Sequence, residues 1–431
     1  MAEFERDVIV SEDYADLIIN HLSNQRRLED LPGAQVQTIN ETFSVVYIPV
    51  EQFTDQSVNR FGYTAIPHLF CFESEASLQA SGVTELRRMP NFDLYGDGVL
   101  IGIVDSGINY TDPVFLNSAG TTKIVSIWDQ NIQSEGGSPF DTEYGTEYTA
   151  GQINQALGSA NPLGVVPSTD AIGHGTMMAA IAAGTTNEGE NFYGVAPNAE
   201  LVIVKLRPAK QFLKNFFSVP ADVVCYQENN LMWGIQYCYL KARQLNRPIV
   251  IIIGVGTSQD SHDGRTPLGR YLSVLGDYQN VTVITAAGNE GNLGRHYHGI
   301  VDPSIGYNTV ELTVGENDTG FSMQIWGETP GIYSIDILTP SGEYITRITA
   351  GIRLSRVISF IFERTVIYID YQIVESETGD QLILLRFFNM AAGTWTFNVY
   401  VQGDLTMGFH IWLPMGNFIT DQTYFVLPDI Y

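Results

Sequence analysis

Four residues whose types can take part in acyl transfer lie next to the ends of predicted strands or helices. Asp105 follows the apolar run VLIGIV, and His174 lies between two glycines at the start of GTMMAAIAAG. Asn289 follows VTVITAAG, and Ser258 lies in a Gly-Thr-Ser sequence after PIVIIIGVG. A hydroxyl, an imidazole general base and a carboxylate suit nucleophilic catalysis, and an Asn amide can donate a hydrogen bond to an oxyanion.

Each motif also has a purely structural interpretation. Asp-Ser-Gly after a strand and Gly-Asn-Glu-Gly are common turns, and a polar residue at a helix start commonly caps the helix. The structural interpretation weakens when the motifs are taken together. Asp105, His174 and Asn289 occur in that order, and each follows or opens an element of the same predicted sheet.

The elements that position these residues follow from the pattern of residues 99–287. Continuous apolar runs, VLIGIVD, ELVIVKL, PIVIIIGVG and VTVITAA, alternate with helical patterns such as NLMWGIQYCYLKARQLN. Such runs are typical of strands buried on both faces in parallel βαβ units. We therefore predict an α/β fold with a doubly wound parallel sheet, and a site at the carboxyl ends of its strands.

The pattern changes on either side of this region. After residue 303, eight short runs rich in β-branched and aromatic residues predict a β-sandwich or jelly-roll module. Near the N-terminus, SEDYADLIINHLSNQ predicts a helix, and AQVQTI and FSVVYIPV predict strands. We therefore predict an α+β unit over 1–80, the α/β domain over 81–302, an all-β insertion over 303–418 and a return to the α/β domain over 419–431.

Composition excludes some partners. The chain has 22 Lys and Arg against 48 Asp and Glu, a formal charge of −26, so we expect neither nucleic acid nor a membrane as a partner. No basic start with an apolar run indicates a signal peptide, and no apolar stretch reaches the roughly 18 residues of a membrane span. Cys71, Cys225 and Cys238 lack disulfide or metal-ligand spacing and are expected to be buried thiols of a reducing compartment.

The motifs resemble a known family. IGIVDSGI, GHGT, YGVAPNAEL and ITAAGNEG are similar to the Asp, His and oxyanion blocks of the subtilisin-like (S8) serine proteases, over about residues 99–291. The resemblance implies that Asp105 orients the imidazole, His174 is the general base and Asn289 is the oxyanion donor. It also implies substrate contacts, which we expect from Gly254, Val255, Gly256, Ala287 and Gly288. Met177 stands where members of the family often have a second histidine.

Ser258 does not fit the nucleophile of such a protease. A subtilisin nucleophile lies on a buried helix beyond the oxyanion block, whereas Ser258 precedes Asn289 and is followed by the polar run QDSHDGRTP. We therefore interpret Ser258 as a loop residue.

No Gly-Thr-Ser-x-Ala block follows Asn289. The β insertion after the oxyanion block is similar to the clostridial type of these proteases, including the Csp germination proteases of spore formers. That resemblance implies that residues 1–80 are a prodomain lying in the substrate groove. We expect the catalytic serine to be missing from this chain, which would be inactive as written, and a cytoplasmic or spore-associated location.

Two functions remain open at this point. The chain is part of a serine endopeptidase acting on a peptide or protein substrate, or it is a pseudoprotease that binds a peptide through Gly254–Gly256 without cleaving it. No cofactor is expected. The spacing of His262, His296 and His298 matches no zinc motif, so no metal site is predicted.

Overall fold

The chain forms three units that share hydrophobic cores. The computed structural model describes residues 6–21, 33–72, 94–186, 192–403 and 405–427. One core joins Ile18 and Tyr47 of the N-terminal unit to Val104 and Ile251 of the α/β unit. Another joins Leu17 to Trp326 of the β module. The three units therefore pack as one body.

The N-terminal unit contains a small antiparallel sheet. Its elements are α1 (Asp7–Val10), β1 (Tyr14–Asn20), β2 (Gln35–Thr38), β3 (Phe43–Pro49), α2 (Ser57–Phe61) and β4 (Leu69–Phe72). The strand order is β1-β3-β2 with antiparallel pairing. The strands predicted at AQVQTI and FSVVYIPV are thus confirmed.

The helix predicted over SEDYADLIINHLSNQ is wrong for residues 14–20, which form β1. Ala15 and Leu17 are buried in the core shared with the β module, whereas Ile18 is buried in the core shared with the α/β unit. Consecutive side chains must therefore point to opposite faces, which a strand allows and a helical stripe does not. Residues 22–25 of that prediction lie outside the described residues.

A six-stranded sheet forms the centre of the α/β unit. The strands of this unit are β5 (Leu100–Asp105), β6 (Ile124–Asp129), β7 (Thr146–Thr149), β8 (Glu200–Lys205), β9 (Tyr226–Gln227), β10 (Ile249–Ile253), β11 (Val255–Gly256) and β12 (Val281–Thr285). The sheet order is β12-β10-β5-β8-β6-β7. The first five strands pair in parallel, and β7 pairs antiparallel with β6.

Helices cover both faces of this sheet. The helices of this unit are α3 (Ala150–Leu157), α4 (His174–Ala183), α5 (Gln211–Phe217), α6 (Glu228–Leu245) and α7 (Pro267–Gly276), of which α5 packs in the core shared with the β module. Ile235 of α6 and Leu275 of α7 are buried in one core, and Ile153 of α3 and Ala179 of α4 are buried in another. The predicted doubly wound α/β fold is confirmed, with one antiparallel edge strand. No described helix has the length and apolarity needed to span a bilayer.

The β module consists of two antiparallel sheets that face each other. Its strands are β13 (His296–Val301), β14 (Tyr307–Val314), β15 (Gly320–Gly327), β16 (Tyr333–Leu338), β17 (Tyr344–Ile348), β18 (Arg353–Ser359), β19 (Val366–Gln372), β20 (Gln381–Phe388), β21 (Gly393–Val401), β22 (Met407–Trp412) and β23 (Tyr424–Phe425). The sheet orders are β13-β22-β15-β20-β19-β18 and β17-β16-β21-β14-β23. Both contribute to one core, which includes Phe321 and Leu385 from the first sheet and Trp395 from the second.

The sheets of the module extend beyond the run of residues predicted from the sequence. β13 pairs with β22, and β23 pairs with β14, so the paired strands run from residue 296 to residue 425. The sequence HYHGIV of β13 is rich in His and Gly, and it therefore lacks the apolar pattern by which the other strands were predicted.

Candidate active site

Asp105 and His174 form a buried hydrogen-bonded pair. Asp105 ends β5 and His174 begins α4. The imidazole Nδ1 lies 2.8 Å from Asp105 Oδ1 and 2.9 Å from Oδ2. The Asp105 side chain is fully buried, and that of His174 is 10% exposed. Because Nδ1 is held by the carboxylate, Nε2 is the ring nitrogen that can exchange a proton with a reacting group.

The contact depends on a glycine at the start of α4. A Cβ at Gly175 would lie 2.3 Å from the carbonyl oxygen of Gly107 and 3.1 Å from Asp105 Cβ. The helix start and the strand end can approach this closely only because residue 175 has no side chain. The Gly after His174 in the GHGT motif is therefore a packing requirement of the pair.

Asp170, which no sequence motif singled out, holds the end of β5 and the start of α4 together. Its carboxylate accepts hydrogen bonds from Ser106 Oγ (2.9 Å), the Gly173 backbone N–H (2.8 Å), and the N–H and Oγ of Thr176 (2.9 and 2.7 Å). Burial raises the pKa of Asp170, but these hydrogen bonds outweigh burial and hold the pKa below its ordinary value. The available sequence signal was an Asp four residues before His174.

Gly254 lies beside the Asp–His pair. β10 pairs with β5 so that Ile253 is opposite Val104, which places the next residue, Gly254, beside Asp105. A Cβ at Gly254 would stand 2.4 Å from Asp105 Oδ2 and 3.2 Å from His174 Cε1. Gly254 was predicted from the sequence to bind substrate, and in the structure it packs against the Asp–His pair.

The other predicted substrate residues surround a neighbouring cavity of about 530 Å³. Its lining includes Val255, Gly256, Ala287, Gly288 and Ser258. The lining formed by the described residues does not include Asp105 or His174. Four of the five predicted substrate residues thus meet at one cavity next to the strand ends.

The strand edge beside this cavity is paired with a segment of the N-terminal unit. β4 pairs antiparallel with β11, with Val255 opposite Phe72 and Gly256 opposite Cys71. β4 also pairs antiparallel with β9, with Phe70 opposite Tyr226. Residues 69–72 are therefore the middle strand between two strands of the α/β unit, the arrangement in which an extended peptide is bound by strand addition.

Asn289 and Ser258 lie on loops near the cavity. Asn289 is exposed, and its backbone N–H donates to Glu290 Oε2 (3.1 Å). Gly288 before it has φ +96°, which turns the chain after β12. Ser258 is followed by a polar loop, as the sequence predicted, and the His262 imidazole lies with Nε2 3.3 Å from the Ser258 carbonyl oxygen. The hydrogen-bonded pair at the end of β5 and the start of α4 thus consists of Asp105 and His174. Asn289 lies in the loop after β12, and Ser258 lies in the loop after β11.

Comparisons with known proteins agree with this fold. The subtilase family model, peptidase S8, matches residues 96–323, which is more than half of the chain. The chain therefore belongs to the subtilase family of serine proteases, as the sequence motifs predicted.

Two curated relatives and one solved structure illustrate the extent of the similarity. A subtilisin of Bacillus sp. (strain TA39) is 26% identical over 248 residues, which are 56% of this chain and 46% of the relative. The subtilisin-like protease SBT1.9 of Arabidopsis thaliana is 27% identical over 212 residues, 46% of this chain and 26% of the relative. The chain thus spans less than half the length of these relatives.

The structure of the Clostridium perfringens CspB protease superposes with a TM-score of 0.69 at 26% identity. The match covers 82% of this chain and 69% of that chain. Because 82% is far more than the part matched by the family model, the similarity extends beyond the α/β unit.

Proposed function

We propose that this chain carries the Asp–His pair and the oxyanion donor of a subtilisin-like serine endopeptidase. The observation that carries the proposal is the double contact of His174 Nδ1 with the buried Asp105 carboxylate, at 2.8 and 2.9 Å. This contact holds the tautomer with the proton on Nδ1 and a lone pair on Nε2, and it stabilises the imidazolium that forms during reaction.

In the proposed reaction, Nε2 of His174 takes the proton of a serine hydroxyl as its oxygen attacks the carbonyl carbon of the scissile peptide bond. The tetrahedral intermediate then collapses, and His174 gives the proton to the leaving amine. The side chain of Asn289 and a backbone N–H hold the oxyanion. In hydrolysis of the acyl-enzyme, His174 takes a proton from water as the water oxygen attacks the ester carbonyl carbon, and it gives that proton to the serine oxygen as the acid product leaves.

The nucleophile is assigned to a block outside these 431 residues. In the family's chain order the serine follows the oxyanion block, and no Gly-Thr-Ser-x-Ala sequence follows Asn289. Ser258 is not assigned this role, because it lies four residues after Gly254 on a polar loop and not at the start of a buried helix. The 431-residue chain alone is therefore expected to lack acyl-transfer activity.

The substrate is a peptide or protein, and the N-terminal unit is proposed to act as a prodomain that occupies its groove. The pairing of β4 with β9 and β11 supports this assignment, because residues 69–72 bind through backbone hydrogen bonds along Val255–Gly256. Such bonds depend little on side chains, so a substrate of different sequence can replace β4 at the same edge.

Fluorophosphonate labelling followed by mass mapping tests the proposal. We would compare the 431-residue chain, a version extended through the reading frame past Tyr431, and the His174→Ala variant of that extended version. The expected result is no label on the chain, a label on a serine beyond residue 431, and no label after His174→Ala. A label on Ser258 in the 431-residue chain would overturn the assignment of the nucleophile.

A pseudoprotease is the second candidate function. The observation that favours it is the pairing of β4, because β9 and β11 bind this extended segment through strand pairing, which needs no nucleophile. Absence of label from both the chain and its extended version would support this function and contradict the endopeptidase.

A further inference from the structure

A cluster of histidines, three in the β module and one in the loop after β11, lies apart from the Asp–His pair. Of the seven histidines in the chain, His262, His296, His298 and His410 form this histidine cluster together with Trp412. The His298 and His410 rings stack with centroids 4.6 Å apart, and the His296 ring stacks on Trp412 at 3.8 Å. The subtilase motifs give these histidines no role.

The sheet positions the cluster through the register of three strands. His298 of β13 is directly opposite His410 of β22, and His410 is also opposite Trp326 of β15. Directly opposite residues on neighbouring antiparallel strands project from the same face of the sheet. The two imidazoles therefore share a face, and the end of β15 lies beside them.

Glu328 adds a carboxylate to the two imidazoles. It follows β15 directly, and its backbone N–H donates to the Gly408 carbonyl oxygen (3.2 Å). The Gly408 N–H in turn donates a hydrogen bond to Glu328 Oε2 (3.3 Å). These contacts hold the Glu328 carboxylate over the start of β22, two residues from His410. One ligand atom each from His298, Glu328 and His410 lie within 4.8 Å of one another.

We propose that His298, Glu328 and His410 bind a divalent transition-metal ion of the zinc type. Two imidazole nitrogens and one carboxylate oxygen are a common ligand set for zinc, with water in the fourth position. Calcium and magnesium prefer oxygen ligands throughout and fit this set poorly. No metal site was predicted from the sequence, because the spacing of His262, His296 and His298 matches no zinc motif.

The separations require only side-chain adjustment. Ligand atoms at about 2.0–2.1 Å from a tetrahedral zinc ion are roughly 3.3 Å from one another. The three atoms lie within 4.8 Å, so each needs to move by about an ångström or less toward a common centre. Glu328 is exposed and His298 and His410 are half-buried, which leaves the side chains room for that rotation and solvent a path for the ion.

His296 is placed to orient one of the ligands. Its Nε2 lies 2.9 Å from His410 Nδ1, so His410 would bind the ion through Nε2. In that form His410 Nδ1–H donates to His296, the kind of outer hydrogen bond that metal-bound histidines generally make. His296 and Trp412 also line the cavity next to Gly256 and Ala287, so the ion would stabilise one wall of the proposed substrate groove.

Titration of the untagged 431-residue chain with zinc, after dialysis against a chelator, tests the proposal. Calorimetry is expected to show one zinc ion per chain and no comparable binding of calcium or magnesium. Cobalt(II) is expected to give the intense visible absorption of a four-coordinate site. These readouts do not depend on proteolysis, so failure of the endopeptidase proposal would not affect them.

Glu328→Gln is the principal variant, because the residue is exposed and the change keeps its shape. Glu328→Gln and His298→Asn are each expected to weaken zinc binding by about 10-fold or more. His174→Ala and His262→Gln are matched controls that should retain the affinity. Absence of zinc binding, or equal loss in the ligand variants and the controls, would overturn the proposal.

Discussion

Gly254 and Asp105 approach so closely that a Cβ at residue 254 would stand 2.4 Å from Asp105 Oδ2. The Asp105 carboxylate cannot move away without disturbing its contact with His174, because His174 Nδ1 lies 2.8 Å from Oδ1. Any side chain at residue 254 must therefore move either the strand end or the Asp–His pair.

Gly254→Ala is expected to destabilise the fold by about 1–3 kcal/mol, the usual cost of inserting a methyl group into a packed site. Denaturant unfolding measures the stability, and the low-field proton resonance of His174 Nδ1–H reports on the pair. Gly276→Ala is the matched control, because nothing lies within 4 Å of a Cβ at that position. Equal effects of the two substitutions would contradict the steric interpretation.

Asp170 is expected to make stability fall in acid. Its pKa in the folded chain lies below the ordinary value, since hydrogen bonds from Thr176, Gly173 and Ser106 outweigh the effect of burial. A depressed folded pKa contributes stability that is present above the unfolded pKa of about 4 and is lost as pH falls through the folded pKa.

Asp170→Asn should therefore lower stability at pH 7 and flatten the acid limb of a plot of unfolding free energy against pH. In Asp170→Asn an NH₂ group replaces one carboxylate oxygen, and because it is itself a donor it cannot accept the hydrogen bonds from Thr176. We expect a loss of unfolding free energy on the order of 1–2 kcal/mol. Asp277→Asn, at an exposed position, should leave the curve unchanged. An unchanged acid limb in Asp170→Asn would show that another group controls it.

Asp16 joins the N-terminal unit to the α/β unit through buried polar contacts. Its Oδ1 lies 2.5 Å from Lys210 Nζ, and its Oδ2 accepts from Gln227 Nε2 (2.7 Å) and Asn229 Nδ2 (2.8 Å). Both members of the ion pair are almost fully buried.

Asp16→Ala should cost about 3–5 kcal/mol in unfolding free energy, because it leaves the Lys210 ammonium buried without its carboxylate. Arg6→Ala is the control, because the Arg6–Glu143 pair is largely exposed and such pairs contribute at most about 1 kcal/mol. Equal costs for the two substitutions in guanidinium unfolding would show that Asp16 does not anchor the N-terminal unit.

Asp105→Asn tests the proposed orientation of His174 in a version that contains the serine block. An Asn amide can hold the wrong tautomer of the imidazole, and such a change lowers the turnover of a serine protease by about 10⁴-fold. The rate of fluorophosphonate labelling should fall by a comparable factor, while Asp222→Asn, at an exposed position, should label at the parent rate. Labelling of Asp105→Asn at the parent rate would contradict the assigned role.

Local sequence patterns were enough to predict the α/β fold and to select Asp105 and His174, which the structure brings into hydrogen-bond contact. VLIGIV is apolar at every position, so it predicts a strand buried on both faces wherever the rest of the chain packs. Asp105 follows that strand and His174 opens a helix, and parallel strand ends meet at one edge of the sheet. The subtilase motifs lie in these same segments, so the family was evident from the same residues.

Tertiary structure alone decided the features that depend on contacts between distant segments. Residues 14–20 form a strand because Leu17 and Ile18 are buried in different cores, which is not evident from their apolar spacing. Gly254 lies beside Asp105 because β10 and β5 are neighbours in the sheet. β4 lies beside β11 because the two strands pair, although more than 180 residues separate them in the sequence. His298 and His410 meet only because two strands far apart in sequence pair in one register. Pairing and register arise from the energy of the whole packed core, and no short stretch of sequence encodes that energy.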